Sequence, residues 1–286
     1  MASEVPIALV TGANKGIGLQ IVRDLCRRFQ GVVYLTARDH TRGQEAVEKL
    51  QNEGLHPKFL QMDVNDVKTI NQVKKHIQDA HGGLDILVNN AGILMHSKTK
   101  EDFGKEAETI IATNFTGVVD VCDQLFPLLR AHARVVNVSS SLGSLNYLTN
   151  MQVRGRLVAD DLTVSELKDI MAEYVRAAKK GDYKEHGYPG FPDAYGAYPM
   201  SKIGLTALTR VQQRMLDQEK PGMDIAVNAV HPGYVDTDMT NHQGHLTVQE
   251  GADTPVYCAL LPKDKNIPRG QYLSHRKVVD WVNGTG

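Results

Sequence analysis

Cysteine is scarce in this chain of 286 residues, which holds only Cys26, Cys122 and Cys258. Three is an odd number, and no two stand at a paired or metal-type spacing, so the sequence reads as reduced core thiols rather than a disulfide framework. The histidines show no metal-ligand spacing either, and no metal is expected. A surplus of charge is missing too: a net charge of −1 leaves no basic footprint for nucleic acid. No apolar run approaches the roughly 20 residues that cross a bilayer. The opening Met1-Ala-Ser-Glu-Val-Pro6 lacks the basic and apolar segments of a signal peptide. Without one, the Asn283-Gly-Thr285 glycosylation sequon reads as a chance match. These absences lead us to expect a cytoplasmic protein with no membrane and no nucleic-acid partner.

What is present suits a soluble globular chain: 42% hydrophobic and 23% charged residues, enough to bury a full core. Short apolar runs recur at Ile7–Val10, Val32–Thr36, Lys58–Met62, Ile86–Val88, Val135–Val138, Ile225–Ala229 and Gln271–Leu273. Val, Ile and Leu dominate them without alternation, as in parallel strands covered on both faces. Helical patterns fall between them, at about 17–29, 41–53, 66–80, 104–131 and 200–219. The expected fold is therefore α/β: a Rossmann-like, doubly wound parallel sheet of about seven strands, in a single domain spanning 1–286.

One stretch breaks the rhythm. From Ser140, after the fifth run, to Tyr198 the count is 58 positions (198 − 140), far more than a connecting loop needs. Within it Thr163-Val-Ser-Glu166 matches a capping box. Leu167, Ile170, Met171, Tyr174, Val175 and Ala178 follow at helical spacing, and Gly181 stands where a helix would stop. The segment at about 142–192 reads as an ordered helical insertion.

The segment Thr11-Gly-Ala-Asn-Lys-Gly-Ile-Gly18 directly follows a strand and opens a helix, the context of a phosphate-holding glycine loop. Gly12 would make the tight turn, Gly16 would admit a pyrophosphate, and Gly18 would allow close helix–strand packing. Asn14, Lys15 and Ile17 complete the loop, and the helix N-terminus offers N–H groups to phosphate. The second strand ends at Leu35-Thr-Ala-Arg38, where an Asp would favour a free 2′-hydroxyl. Arg38 offers instead a planar charged fork for a 2′-phosphate, with Arg42 and Lys15 adding charge and Asp39 dissenting. NADPH/NADP+ is favoured over the unphosphorylated pair. Asp63 and Val64 follow the third strand, where Asp63 would bond the adenine amine. Asn89-Asn90-Ala91-Gly92 follows the fourth, near the ribose. Pro232, Gly233, Val235 and Thr237 follow the sixth, near the nicotinamide carboxamide.

Tyr198-Pro-Met-Ser-Lys202 sets a phenol four residues from an ammonium. Free tyrosine titrates near 10; the Lys202 ammonium one turn away, together with the positive nicotinamide ring of the oxidised cofactor, is expected to lower that value and make Tyr198 a proton donor to a carbonyl. Lys202 would also hold the nicotinamide ribose. Pro199 disfavours helix at Tyr198, which places the tyrosine at the cap or first turn; Tyr195 is a turn too far from Lys202. Ser140, flanked by Ser139 and Ser141, would orient the substrate oxygen. Asn114 either bonds a neighbouring carbonyl or holds a water that relays protons to Lys202.

Thr-Gly-x3-Gly-x-Gly, Asn-Asn-Ala-Gly, the Asn114/Ser140/Tyr198/Lys202 set and Pro232-Gly233 together resemble the short-chain dehydrogenases/reductases. The likeness is strongest to the animal monomeric NADPH-dependent carbonyl reductases, through Thr11–Leu19, Ile21–Cys26, Leu35–Arg38, Thr41–Gln44 and Tyr198–Gly204. It implies reduction of a small-molecule carbonyl substrate, drawn from quinones, aromatic aldehydes and ketones, dicarbonyls, ketosteroids and prostaglandins. It also implies a monomer, whose helical insertion covers the surface that other members use to dimerise. The chain departs from close relatives at Val230 and His231, often cysteines there, and at Tyr234, often tryptophan, on the wall of the substrate pocket. A dedicated hydroxysteroid or prostaglandin dehydrogenase, and a non-catalytic NADP(H)-binding regulator on the same fold, remain the alternative readings.

Overall fold

The computed structural model describes residues 5–96, 99–193, 195–264 and 266–283. Of the sequon only Asn283 falls among them, and Met1–Glu4 lie outside the described residues. Eight strands form one sheet: β1 (Ile7–Val10), β2 (Val32–Ala37), β3 (Lys58–Gln61), β4 (Leu84–Asn89), β5 (Leu129–Val138), β6 (Ala226–His231), β7 (Tyr272–Ser274) and β8 (Lys277–Val278). Their order is β3-β2-β1-β4-β5-β6-β7-β8, parallel throughout except for the final β7–β8 pair. The chain starts in the middle, winds to one edge and then to the other. The reversal point beside β1 and β4 is where such sheets open a crevice at their carboxyl ends.

The unbroken apolar runs have the cause expected of them. All four residues of β1 are fully buried, because helices cover both faces. One core lies under α1 (Gly16–Arg28), α2 (His40–Asn52) and α9 (Val248–Ala259). The other lies under α3 (Val67–His81), α4 (Lys100–Ile111), α5 (Gly117–Leu125), α7 (Val164–Lys180) and α8 (Tyr198–Glu219), with α6 (Met151–Val158) beside it.

Three differences from the sequence expectation have local reasons. The helix expected over 104–131 is instead α4, one π-helical turn at Ala112–Thr116, α5 and a 3-10 turn at Phe126–Leu128. Pro127 cannot continue the hydrogen-bond ladder, and β5 begins at Leu129 rather than Val135. Helix α9 goes unread because Gly251 and Pro255 mask its period, although Thr247 and Glu250 form a capping box at its start. The eighth strand is a two-residue antiparallel extension, too short to leave a pattern.

Between β5 and α8 the capped helix is as the spacing predicts. Thr163 and Glu166 close a reciprocal capping box, and Gly181 ends α7 in the left-handed conformation. The buried stripe of α7, including Leu167, Met171 and Tyr174, packs on α4 and α8. Two arginines one turn apart on α8 grip the end of α6 and the connection to α7: Arg210 donates to the Val158 carbonyl and Arg214 to that of Leu162.

Candidate active site

The glycine loop is built by contact as much as by turn geometry. Gly12 has φ +59°, and a Cβ there would stand 2.7 Å from the Ala91 Cα. Only glycine admits both the conformation and the approach of the Asn90–Gly92 segment. A Cβ on Gly18 would fall on the Asn90 amide and 2.8 Å from the Gly12 carbonyl. Thr11, which the sequence reading passes over, stitches the two segments together: its hydroxyl accepts the Asn90 and Ala91 N–H groups at 3.0 and 2.9 Å. Asn90 returns two bonds, to the Thr11 and Gly12 carbonyls, each 3.0 Å. At the α1 N-terminus Lys15 supplies no side-chain cap, which suits a phosphate accepting those N–H groups. Asn14 and Ile17 are half-buried in the same loop, and Ile17 meets the place of a Gly251 Cβ at 3.4 Å.

Arg38 and Arg42 are both exposed beyond the end of β2. Asp39, the dissenting carboxylate, is the N-cap of α2 and accepts the Arg42 N–H at 2.9 Å. Its presence after β2 is thus helix chemistry. Lys15 is less available than its place in the loop suggests, because its ammonium pairs with Asp238 at 2.6 Å. Asp63 is half-buried, and one of its oxygens accepts the Asn65 N–H at 2.9 Å. Val64 is buried, its carbonyl 2.8 Å from the place of a Gly117 Cβ.

The segment after β6 folds over the glycine loop. Gly233 is left-handed at φ +90°, Val235 is buried, and Thr237 lies 3.5 Å from the place of a Gly16 Cβ. Pro232 is half-buried between His231 and Gly233. Tyr234 is exposed at the rim, its ring 5.9 Å from that of His245. Val230 is fully buried in the core behind them. His231 accepts the Ser141 and Gly233 N–H groups on Nδ1, at 3.1 and 3.3 Å, joining the serine segment to the Pro-Gly segment. Burial and nearby His275 push its pKa down to about 4, the neutral state that those two bonds require.

Four side chains converge where the sheet opens. Tyr198 is the first residue of α8, with Pro199 at the tolerated next position. The Ser140 hydroxyl lies beside the phenol and favours its ionised form; it accepts the Leu142 N–H at 3.2 Å. Tertiary structure separates the three serines. Ser139 is buried against Thr206 at 2.7 Å, Ser141 offers its backbone N–H to His231, and Ser140 alone meets the phenol. Tyr195 stands half outside, 39% exposed. Lys202 reaches within 5.4 Å of the Tyr198 ring centre and donates to the Val138 carbonyl at 2.8 Å. Gly92 leaves room beside them: a Cβ there would sit 3.3 Å from Asn114 Oδ1 and 3.7 Å from Lys202 Nζ.

Asn114 lies in the π-helical turn between α4 and α5. Its Oδ1 accepts the Ile93 N–H at 2.8 Å, and its Nδ2 donates to the Ile93 carbonyl and the Ser201 hydroxyl at 2.9 and 3.1 Å. The carbonyl-bonding expectation for Asn114 is therefore met. Ser201 in turn donates to the Tyr198 carbonyl at 2.7 Å. Its signal was the serine inside the Tyr-x-x-Ser-Lys spacing.

Burial pushes the Tyr198 phenol up, with Ser140 pulling the other way; the lowering expected of Lys202 belongs with the positive nicotinamide ring of the bound oxidised cofactor. Burial also brings Lys202 down to about 8. In this low-dielectric setting desolvation outweighs the attraction of a partner charge. The phenol is thus held protonated at neutral pH, the form from which a carbonyl reduction draws its proton. Cavities of about 370 and 410 Å³ lie elsewhere, lined in part by Lys220 and Arg269 or Arg210 and Arg214, and no member of this set lines them. Among the described residues no group of three or more His, Cys, Asp or Glu is placed to hold a metal.

Residues held by backbone amides and small side chains on one side, and a Tyr/Lys pair against Ser and Asn on the other, fit a nicotinamide dinucleotide. Known proteins show the same arrangement of chain. Carbonyl reductase (NADPH) 1 of Homo sapiens is 44% identical over 283 residues, covering 98% of this chain and all of the relative. Carbonyl reductase (NADPH) 3 of Rattus norvegicus is 45% identical over the same length and coverage. Among solved structures, salutaridine reductase from Papaver somniferum superposes with a TM-score of 0.83 at 33% identity, over 93% of this chain and 99% of that one. The model of the short chain dehydrogenase family matches residues 6–152 and 188–246, skipping the stretch that contains α7. With the glycine loop, the Asn114, Ser140, Tyr198 and Lys202 cluster and the sheet order all in place, this chain belongs to the short-chain dehydrogenase family.

Proposed function

We propose that this chain is an NADPH-dependent carbonyl reductase in which Tyr198 is the proton donor. The observation that carries the reading is the buried Tyr198 phenol beside the Ser140 hydroxyl, with the Lys202 ammonium 5.4 Å from its ring. The cofactor, when bound, supplies the hydride to the carbonyl carbon. Ser140 orients the carbonyl oxygen with its hydroxyl and stabilises charge developing there. Tyr198 gives its proton to that oxygen. Lys202, fully buried and close behind, stabilises the phenolate left behind and stands ready to bond the ribose. Asn114 holds the backbone at Ile93 and, through Ser201, the first turn of α8.

Cofactor binding falls to Gly12, Asn14, Gly16, Ile17 and Gly18 for the diphosphate, with Arg38, Arg42 and Lys15 for the 2′-phosphate. Asp63 and Val64 serve the adenine, Asn90, Ala91 and Gly92 the ribose, and Pro232, Gly233, Val235 and Thr237 the carboxamide. The relatives' printed names, carbonyl reductase (NADPH) 1 and 3, support both the cofactor and the reaction. The broad substrate range, quinones, aromatic carbonyls and dicarbonyls above all, rests on the family likeness and on Tyr234 standing exposed at the rim. A monomer in a single domain is supported by α7 lying on α4 and α8. A cytoplasmic setting is supported by composition, and no helix among the described residues is long and apolar enough to cross a membrane.

The test is loss of absorbance at the reduced-nicotinamide band, with NADPH or NADH offered alongside a quinone and an α-dicarbonyl. Rapid NADPH-dependent turnover of both is expected. Tyr198→Phe should lower kcat by about 10²–10⁴, the usual worth of a positioned acid, while NADPH still binds. Near-normal kcat in that variant would refute the assignment of the donor. Tight NADPH binding without turnover by the unaltered protein would point to a narrow steroid or prostaglandin enzyme, or to a regulator.

A further inference from the structure

We propose that Glu106 is a positioning residue for the proton donor: its buried carboxylate fixes the first turn of α8 and with it the direction in which Tyr198 presents its phenol. The proposal rests on the reading of Tyr198 as the donor. Glu106 lies on α4 with 2% of its surface exposed, a rare place for a carboxylate unless it is satisfied there. Its Oε1 accepts the Ala197 N–H at 2.9 Å. Ala197 is the residue just before Tyr198 and the N-cap of α8, and alanine brings no side-chain cap of its own. The helix that bears the tyrosine thus takes its cap from another helix, and a carboxylate there also faces the positive end of the helix dipole.

The preceding residue is shaped to the same contact. Gly196 is left-handed at φ +50°, and a Cβ there would fall on the Glu106 carboxylate. A second grip comes eight residues along the same helical rod, where Asn114 donates to the Ser201 hydroxyl and Ser201 donates to the Tyr198 carbonyl. Ala197 and Ser201 are four residues apart, about one turn, and Tyr198 stands between them. One rod therefore holds α8 at two points bracketing the phenol. With one point removed, the turn pivots on the other. Misplacement of a reacting group by 1 Å costs up to about 10²-fold in rate.

The experiment compares Glu106→Met, which keeps length and loses the acceptor, with Glu106→Gln, which keeps the acceptor and loses the charge. Gly196→Ala attacks the same bond from the other side. Each is measured for kcat and KM with NADPH and a quinone, for NADPH Kd and stoichiometry by fluorescence, and for Tm. Expected for Glu106→Met and Gly196→Ala is a fall in kcat of about tenfold or more per cofactor-binding site, with NADPH Kd changed by less than about twofold. Glu106→Gln should retain most of the rate, because its amide oxygen still accepts the Ala197 N–H. A purely structural role predicts a lower Tm with unchanged kcat per site, or no folded protein, and either result overturns the proposal. So does a Glu106→Gln variant as slow as Glu106→Met. Tyr198→Phe, run alongside, separates the two ideas: retained activity there removes the donor itself, whereas full activity in Glu106→Met removes only the positioning role.

Discussion

Replacing Lys202 by Met should make the protein more stable while abolishing its activity. Lys202 is 4% exposed on α8, and burial brings its ammonium from the ordinary 10.5 down to about 8. Each tenfold change in ionisation is worth about 1.4 kcal/mol, so keeping the lysine charged at pH 7 costs the folded state about 3 kcal/mol. Met removes that cost, but the Val138 carbonyl, which accepts from Lys202 Nζ at 2.8 Å, loses a donor worth about 1 kcal/mol. The expected gain is about 2 kcal/mol at pH 7, a rise in Tm of roughly 4–8 °C for a domain of this size. The sign follows from proton counting. Between pH 8 and 10.5 the unfolded chain holds the proton and the folded chain does not, so wild-type stability rises across that window. The Met variant's advantage is therefore full below pH 8, shrinks through the window and is gone above 10.5. Urea denaturation at pH 7 and pH 10, without cofactor so that binding does not stabilise one form, measures it. A Met variant no more stable than wild type at pH 7, or a gain that does not shrink at pH 10, would refute the reasoning.

Arg38→Ala tests the selector. Loss of a charge-assisted contact to a phosphate is worth about 1.5–3 kcal/mol, so NADPH Kd should rise about 10- to 100-fold by fluorescence titration while NADH Kd stays nearly constant. Equal weakening of both would assign the 2′-phosphate elsewhere. Thr163→Ala opens the capping box of α7 and should cost about 1 kcal/mol, seen as roughly fivefold faster amide exchange at Leu167 and Met171. Unchanged exchange would mean that packing on α4 and α8 alone holds the insertion.

The chemistry was largely legible in sequence because its signals are local. A glycine loop between strand and helix, and a tyrosine four residues before a lysine, each lie within one turn or one loop, where spacing fixes geometry. The capped helix of the insertion was legible for the same reason. Asp39 shows the limit: as a residue type after β2 it argued against NADPH, and only its bond to the Arg42 N–H shows it to be a helix cap. Lys15 shows the reverse, a loop lysine whose ammonium is shared with Asp238, 223 residues away.

The order of glycines, the Tyr198/Lys202 spacing, the unalternating strands and the Thr163 capping box were determined by the sequence itself, since each depends on neighbours along the chain. Tertiary structure alone chose Ser140 over Ser139 and Ser141, put Asn114 in a π-helical turn, and brought Glu106 to the cap of α8. It also set the burial that raises the Tyr198 pKa, because burial is decided by what the whole fold packs around a group and not by the residue four places away.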